Sequence, residues 1–205
     1  MDKREYKMKI KSLTELREYI QYESEQYNRY MFASRARRIM AWLKEEPAYE
    51  IMNWQIKSRK ADYYHYRVKS GEGSLIDKLR YLYFTKRKNH LAKCLGIEIG
   101  TENIGKGLLL YHYSGGCVIN GGAIIGANCH LHGNNCIGNG GGKMLDCPII
   151  GDSVMLGVGA KVIGNVRVAD HVKIAAGAVV VKDILEEGCT VAGIPAHIVK
   201  SPKYE

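Results

Sequence analysis

A chain of 205 residues has room for one large domain or two small ones and for a real core. Its formal charge of +9 is unevenly carried: residues 1–95 hold 22 of the 30 Lys and Arg but 12 of the 21 acids, while residues 96–205 hold 21 of the 23 glycines. No apolar run reaches the roughly 18 residues of a membrane span, and the charged start MDKREYKMKIKS lacks the apolar stretch of a signal peptide, so a cytoplasmic protein is expected. The six cysteines (Cys94, Cys117, Cys129, Cys136, Cys147 and Cys189) form no CxxC pair and no metal-ligand spacing. They are expected to be reduced thiols, with no metal.

The first half reads as helices. Ser12-Leu13-Thr14-Glu15 is a capping-box pattern that predicts a helix running to about Arg29. A second helix is predicted from Met31 to Lys44. Pro47 suits the first turn of a third, ending near Gly71 and Gly73. Ser74, with Asp77 at the third position, caps a fourth that runs to Leu95 and stops at Gly96. These elements make residues 1–95 a basic α-helical domain. Lys86-Arg87-Lys88, preceded by Tyr81, Tyr83 and Phe84, reads as a solvated helix face compatible with weak membrane-surface association; no nucleic acid is expected as a partner.

The second half carries an internal repeat. Apolar residues recur at every sixth position (Ile150, Leu156, Val162, Val168, Ile174, Val180), and an apolar or small residue follows each by four (Val154, Ala160, Val166, Val172, Ala178, Ile184). Neither a helix nor a flat strand has a period of six. A solenoid does, because short strands joined by turns send the same two positions of every repeat inward. The same phase holds upstream at Ile119, Ile125, Leu131 and Ile137, with Ala123 and Cys129 at second positions. It breaks twice. The spacing is 13 from Ile137 to Ile150, across a segment that reads as a loop leaving the coil, and 9 from Leu110 to Ile119. His112 lies in that second slip.

Residues 96–199 resemble the hexapeptide-repeat acyltransferases, and in particular serine acetyltransferases. The stretches that carry the resemblance are IGKGLLLYHYSGG, IIGANCHLHGNNCIGNGGGK, IIGDSVMLGVGAKVIGNVRV, KIAAGAVVVKD and VAGIPAHIVK. The resemblance implies a mainly β architecture, a left-handed parallel β-helix preceded by the α-helical domain and followed by a short tail at 200–205. It also implies a homotrimer that binds acetyl-CoA between neighbouring subunits. Two departures stand out. Tyr111 occupies the place of the Asp that precedes the family's catalytic His, and Asp146-Cys147-Pro148 occupies that of an Arg-His-Pro implicated in holding serine. The His112-Tyr113 pair and a second histidine at His132 are instead similar to acetyltransferases of capsular and exopolysaccharide gene sets.

Acetyl transfer from a thioester needs a base, donors for the oxyanion and a grip on the cofactor. His112 is the candidate base. By alignment with the family, Glu98 would orient it. His132 would assist or bind the acceptor, with His130 beside it on the same strand. Asn139, Gly140, Val158 and Ala176 would line the pantetheine arm, and Lys182 and Lys200 would meet the phosphates. The expected activity is acetyl-CoA-dependent O-acetylation of a carbohydrate hydroxyl. Serine O-acetylation is the alternative, and a non-catalytic β-helix scaffold a third.

Overall fold

The computed structural model describes residues 10–112, 115–141 and 146–201. Tyr113, residues 142–145 of the expected loop and most of the expected tail lie outside them. The chain divides into two compact units, one of them Met8–Gly96 and the other the described residues from Ile97 onward.

The first unit is helical. α1 (Leu13–Tyr27) opens with the expected capping box: Ser12 accepts from the Glu15 amide while the Glu15 carboxylate accepts from the Ser12 amide. It runs into a π-helical turn at Asn28–Phe32. The next helix does not begin at Met31, because Ala33 takes a left-handed φ of 59° and breaks the run. Ser34 then caps α2 (Arg35–Leu43) by accepting from the Arg37 amide. α3 (Pro47–Lys69) starts on its proline, and α4 (Leu75–Leu95) has a second capping box from Ser74 and Asp77 and ends on left-handed Gly96. Tyr27, Phe32, Ala41, Ile51 and Trp54 are buried in this unit. Between α1 and α3, buried Arg59 donates to both oxygens of buried Glu23, at 2.7 and 3.3 Å, and Tyr27 donates to Gln55 at 2.9 Å.

The second unit winds. Its first coil holds β1 (Ile97–Ile99) and β2 (Leu109–Leu110); the second holds β3 (Cys117–Ile119), β4 (Ile124–Ile125) and β5 (His130–Leu131). The third holds β6 (Asn135–Gly138), β7 (Ile149–Ile150) and β8 (Met155–Leu156), and the fourth β9 (Lys161–Ile163), β10 (Arg167–Val168) and β11 (Lys173–Ile174). β12 (Val179–Val180), β13 (Thr190–Gly193) and β14 (Ala196–Lys200) close it. Three sheets collect these strands in rotation. The first takes β1-β3-β6-β9-β12, the second β4-β7-β10, and the third β2-β5-β8-β11-β13, with β14 antiparallel at its end. All other pairings are parallel. Because the strands are two to five residues long, helices hold more of the chain than strands do.

Most strand partners in uninterrupted coils are 18 positions apart, as with Met155 and Lys173. His130 and Met155 are 25 apart, the seven extra residues falling between β6 and β7. Leu109 and His130 are 21 apart, and the three extra residues fall after β2. Both interruptions are absorbed at corners. All the sixth-position residues from Ile119 to Val180, and every second-position residue named above, are 6% exposed or less. The cysteines are free, and burial pushes the thiols of Cys117 and Cys129 up to about 12.

Removing a buried branched side chain loses both transfer energy and packing. Ile137→Ala should therefore destabilise the coiled unit by about 2–5 kcal/mol. Glu23→Ala, which strands a buried guanidinium, should cost the helical unit about 3–5 kcal/mol. Urea unfolding followed by circular dichroism reads both; a change below 1 kcal/mol (on the order of the experimental error) would contradict the packing described.

Candidate functional site

The corner between the third and first sheets gathers the histidines. Pairing continues one residue past the strands there: Tyr111 donates its amide to Leu131 at 2.9 Å, and His132 donates to Leu156 at 3.0 Å. Leu110 and Leu131 point inward, so Tyr111, His130 and His132 share the outer face. The Tyr111 ring stacks on His132, with centroids 4.5 Å apart and planes at 18°, and meets His130 edge-on at 5.7 Å. His112 follows on the exposed turn. Burial, and then the neighbouring charge of His112, hold the His132 imidazole below its ordinary value; burial and then His132 do the same for His130.

Two residues that the sequence reading passed over build this corner. Gly133 has a φ of 105°, and a Cβ there would lie 3.0 Å from the His112 carbonyl oxygen and 3.2 Å from its Cβ, so glycine lets the turn pass beneath His112. Asn135 is buried, accepts from the Gly133 amide at 2.9 Å, and donates to the carbonyls of Gly157 at 2.8 Å and Ala160 at 3.2 Å. It thereby fastens the His132 turn to the turn of the next coil. The signal for it was present: Asn135 stands four residues after Leu131, a slot that every other repeat fills with an apolar or small residue.

The same corner continues down the coils as a column of small residues. Gly159 donates to Gly133, and Gly177 donates to Val158 at 2.9 Å. A Cβ on Gly157 would sit 2.6 Å from the Ala176 amide nitrogen. Val158 and Ala176 are both exposed along this column. The remaining expected residues lie elsewhere. Asn139 and Gly140 follow β6 at the corner between the first and second sheets, beside Gly164. Lys182 is exposed on the turn after β12, and exposed Lys200 ends β14. Glu98 is exposed in the first sheet opposite Val118, and no hydrogen bond or ion pair joins it to His112. Among the described residues no group of three side chains could hold a metal ion.

No family model matches the chain, and no curated protein does. Solved structures do match. A serine acetyltransferase from Neisseria gonorrhoeae is 26% identical, with a TM-score of 0.66 over 93% of this chain and 67% of its own. The same enzyme in complex with serine gives 26% identity and a TM-score of 0.64 over 92% of this chain and 70% of its own. The serine acetyltransferase of Brucella abortus strain S19, at 23% identity, has a TM-score of 0.64 over 92% of this chain and 70% of its own, and speaks to the fold. The chain is an acetyltransferase. It has the helical front and parallel-strand sheets of these enzymes. The expected likeness to capsular and exopolysaccharide acetyltransferases finds no support among the structures described, which are serine acetyltransferases.

Since the fold holds His130 and His132 below 6.5, the unfolded chain binds more protons than the folded one between the folded values and 6.5. Their contribution to stability is whole above that window and is lost as pH falls through the folded values. The urea midpoint should accordingly drop between about pH 7.5 and about pH 5.5, and His132→Gln should flatten that drop. Imidazole proton titration by NMR checks the cause directly: the His130 and His132 signals should titrate below 6.5.

Proposed function

We propose that this chain transfers the acetyl group of acetyl-CoA to the hydroxyl of serine, with His112 as the base. The observation that carries the reading is the junction, on one corner, of His112 and His132 with the glycine- and alanine-lined column that holds Val158 and Ala176. Its acceptor is supported by the 26% likeness to an enzyme captured with serine. The reading takes the coil as a left-handed β-helix and three chains as a closed ring, the usual form of a homo-oligomer. Domain bounds at 1–95 and 96–199, and a cytoplasmic setting, belong to the same proposal.

In this scheme His112 withdraws the hydroxyl proton as the oxygen attacks the thioester carbonyl. The tetrahedral intermediate then expels the CoA sulfur, which takes the proton back from the imidazolium. His132, kept neutral by burial and braced by Tyr111, holds the acceptor. Val158 and Ala176 would border the pantetheine arm, since the column offers it backbone amides and no bulky side chain beyond Val158. Asn139 and Gly140, being on another corner, would reach the arm from the neighbouring subunit. Lys182 and Lys200 would meet the CoA phosphates, and Glu98, exposed on the first sheet, would be the carboxylate that orients the base.

A sugar hydroxyl is the second reading, and Asp146 favours it. A carboxylate and a buried Cys147 stand where a guanidinium and an imidazole would meet the serine carboxylate.

His112→Ala should lower the turnover rate about 10²–10⁴-fold with acetyl-CoA affinity nearly unchanged. His132→Ala should act mainly on the acceptor KM. Release of free CoA with serine, measured against a panel of nucleotide-linked and oligosaccharide sugars, separates the two acceptors. Near-full turnover by His112→Ala would overturn the assignment of the base, and turnover with sugars alone would overturn serine.

A further inference from the structure

A helix at a protein surface normally turns its apolar stripe toward the core and its charges toward water. α4 does otherwise. Its inner line is Asp77, Leu91 and Leu95, all buried. On the opposite line Leu75 is 74% exposed, Leu79 59% and Leu82 62%, flanked by Ile76 and Tyr83 at 59% and 56%. The same outward line continues as Lys86 and Lys93, spaced by helical turns. Five large apolar side chains at one end of the helix and a basic stretch at the other thus face the same way.

The charges say what could cover this face. After Asp77, α4 carries Lys78, Arg80, Lys86, Arg87, Lys88 and Lys93 and no carboxylate. The cations of α3 and α4 also press on one another. Lys57 is held below its ordinary value by burial first, then by Lys60 and Arg87, with Glu50 opposing. A second copy packed on this stripe would bring more cations and no acid from α4 to meet them. A nucleic-acid backbone would leave the five apolar side chains without a partner. An anionic lipid surface satisfies both halves at once, as it does for basic amphipathic helices in general.

We propose that the outer face of α4 lies on an anionic phospholipid surface, with Leu75, Leu79 and Leu82 entering the acyl boundary and Lys86, Arg87 and Lys93 meeting headgroup phosphates. The helix rests there without crossing: among the described residues no helix is long and apolar enough to span a membrane. This docking is independent of the acceptor and of the base.

The full chain should be centrifuged with vesicles of phosphatidylcholine alone and of phosphatidylcholine with phosphatidylglycerol. It should partition at least about tenfold more strongly to the anionic vesicles and come off in high salt. Lys86→Glu with Arg87→Glu should weaken that binding about tenfold or more, and so should Leu79→Asp with Leu82→Asp. All four positions are exposed, so circular dichroism and mass by light scattering should match the unaltered chain. Equal partition to neutral vesicles, or none to either, overturns the proposal. So does a change of assembled mass in the Leu79→Asp, Leu82→Asp variant that leaves vesicle binding intact, which would make the face an interface between copies. Duplex DNA that binds Lys86→Glu, Arg87→Glu poorly and the leucine variant fully, with no vesicle effect, overturns it as well.

Discussion

Each inward side chain in the middle coils of the second unit is held by the coil before it and the coil after it. Along the first sheet Ile99, Ile119, Ile137, Val162 and Val180 form one such file, each paired in register with the next and each buried. A side chain in the file can be neither much larger nor polar without displacing two neighbours, since interiors are packed to near-crystalline density. The turns, by contrast, meet water and need only bridge one sheet to the next. Stacking thus fixes what lies inside and leaves the corners to carry whatever length and chemistry remain.

That division explains what could be read from the amino-acid sequence. A period of six is visible because every coil reuses the same two inward positions, so Ile150 to Val180 announce the core without a break. The capping boxes at Ser12 and Ser74 were equally legible, since a hydroxyl and a carboxylate three residues apart answer the same unsatisfied amides wherever a helix starts. The break before α2 was not, because alanine seldom takes the left-handed conformation that Ala33 adopts.

The site was legible in part. His112 and His132 drew notice from the register slip and from a motif, yet their bracing did not. Tyr111 was visible as a replacement for an acid, but only the pairing of β2 with β5 puts its ring on His132. Spacing does tell corners apart: Val158 and Ala176 differ by one coil of 18 and share one, whereas Asn139 lies six residues past Gly133, one corner on. Glu98 was placed by alignment alone, and in the fold it lies in the first sheet opposite Val118, because proximity here runs across coils and not along the chain.

The three extra residues after β2 and the seven after β6 leave the pairing of the flanking strands in register on every sheet. Such a prism can be lengthened at a vertex without being rebuilt. Extra length in the segments that follow Leu110 and Gly138 is therefore decoupled from the pairing of the strands that flank them. The turn at Gly133 has no such latitude, being pressed between the His112 backbone and the Asn135 amide. Within one enzyme, permissive and unforgiving stretches of chain alternate around a single corner.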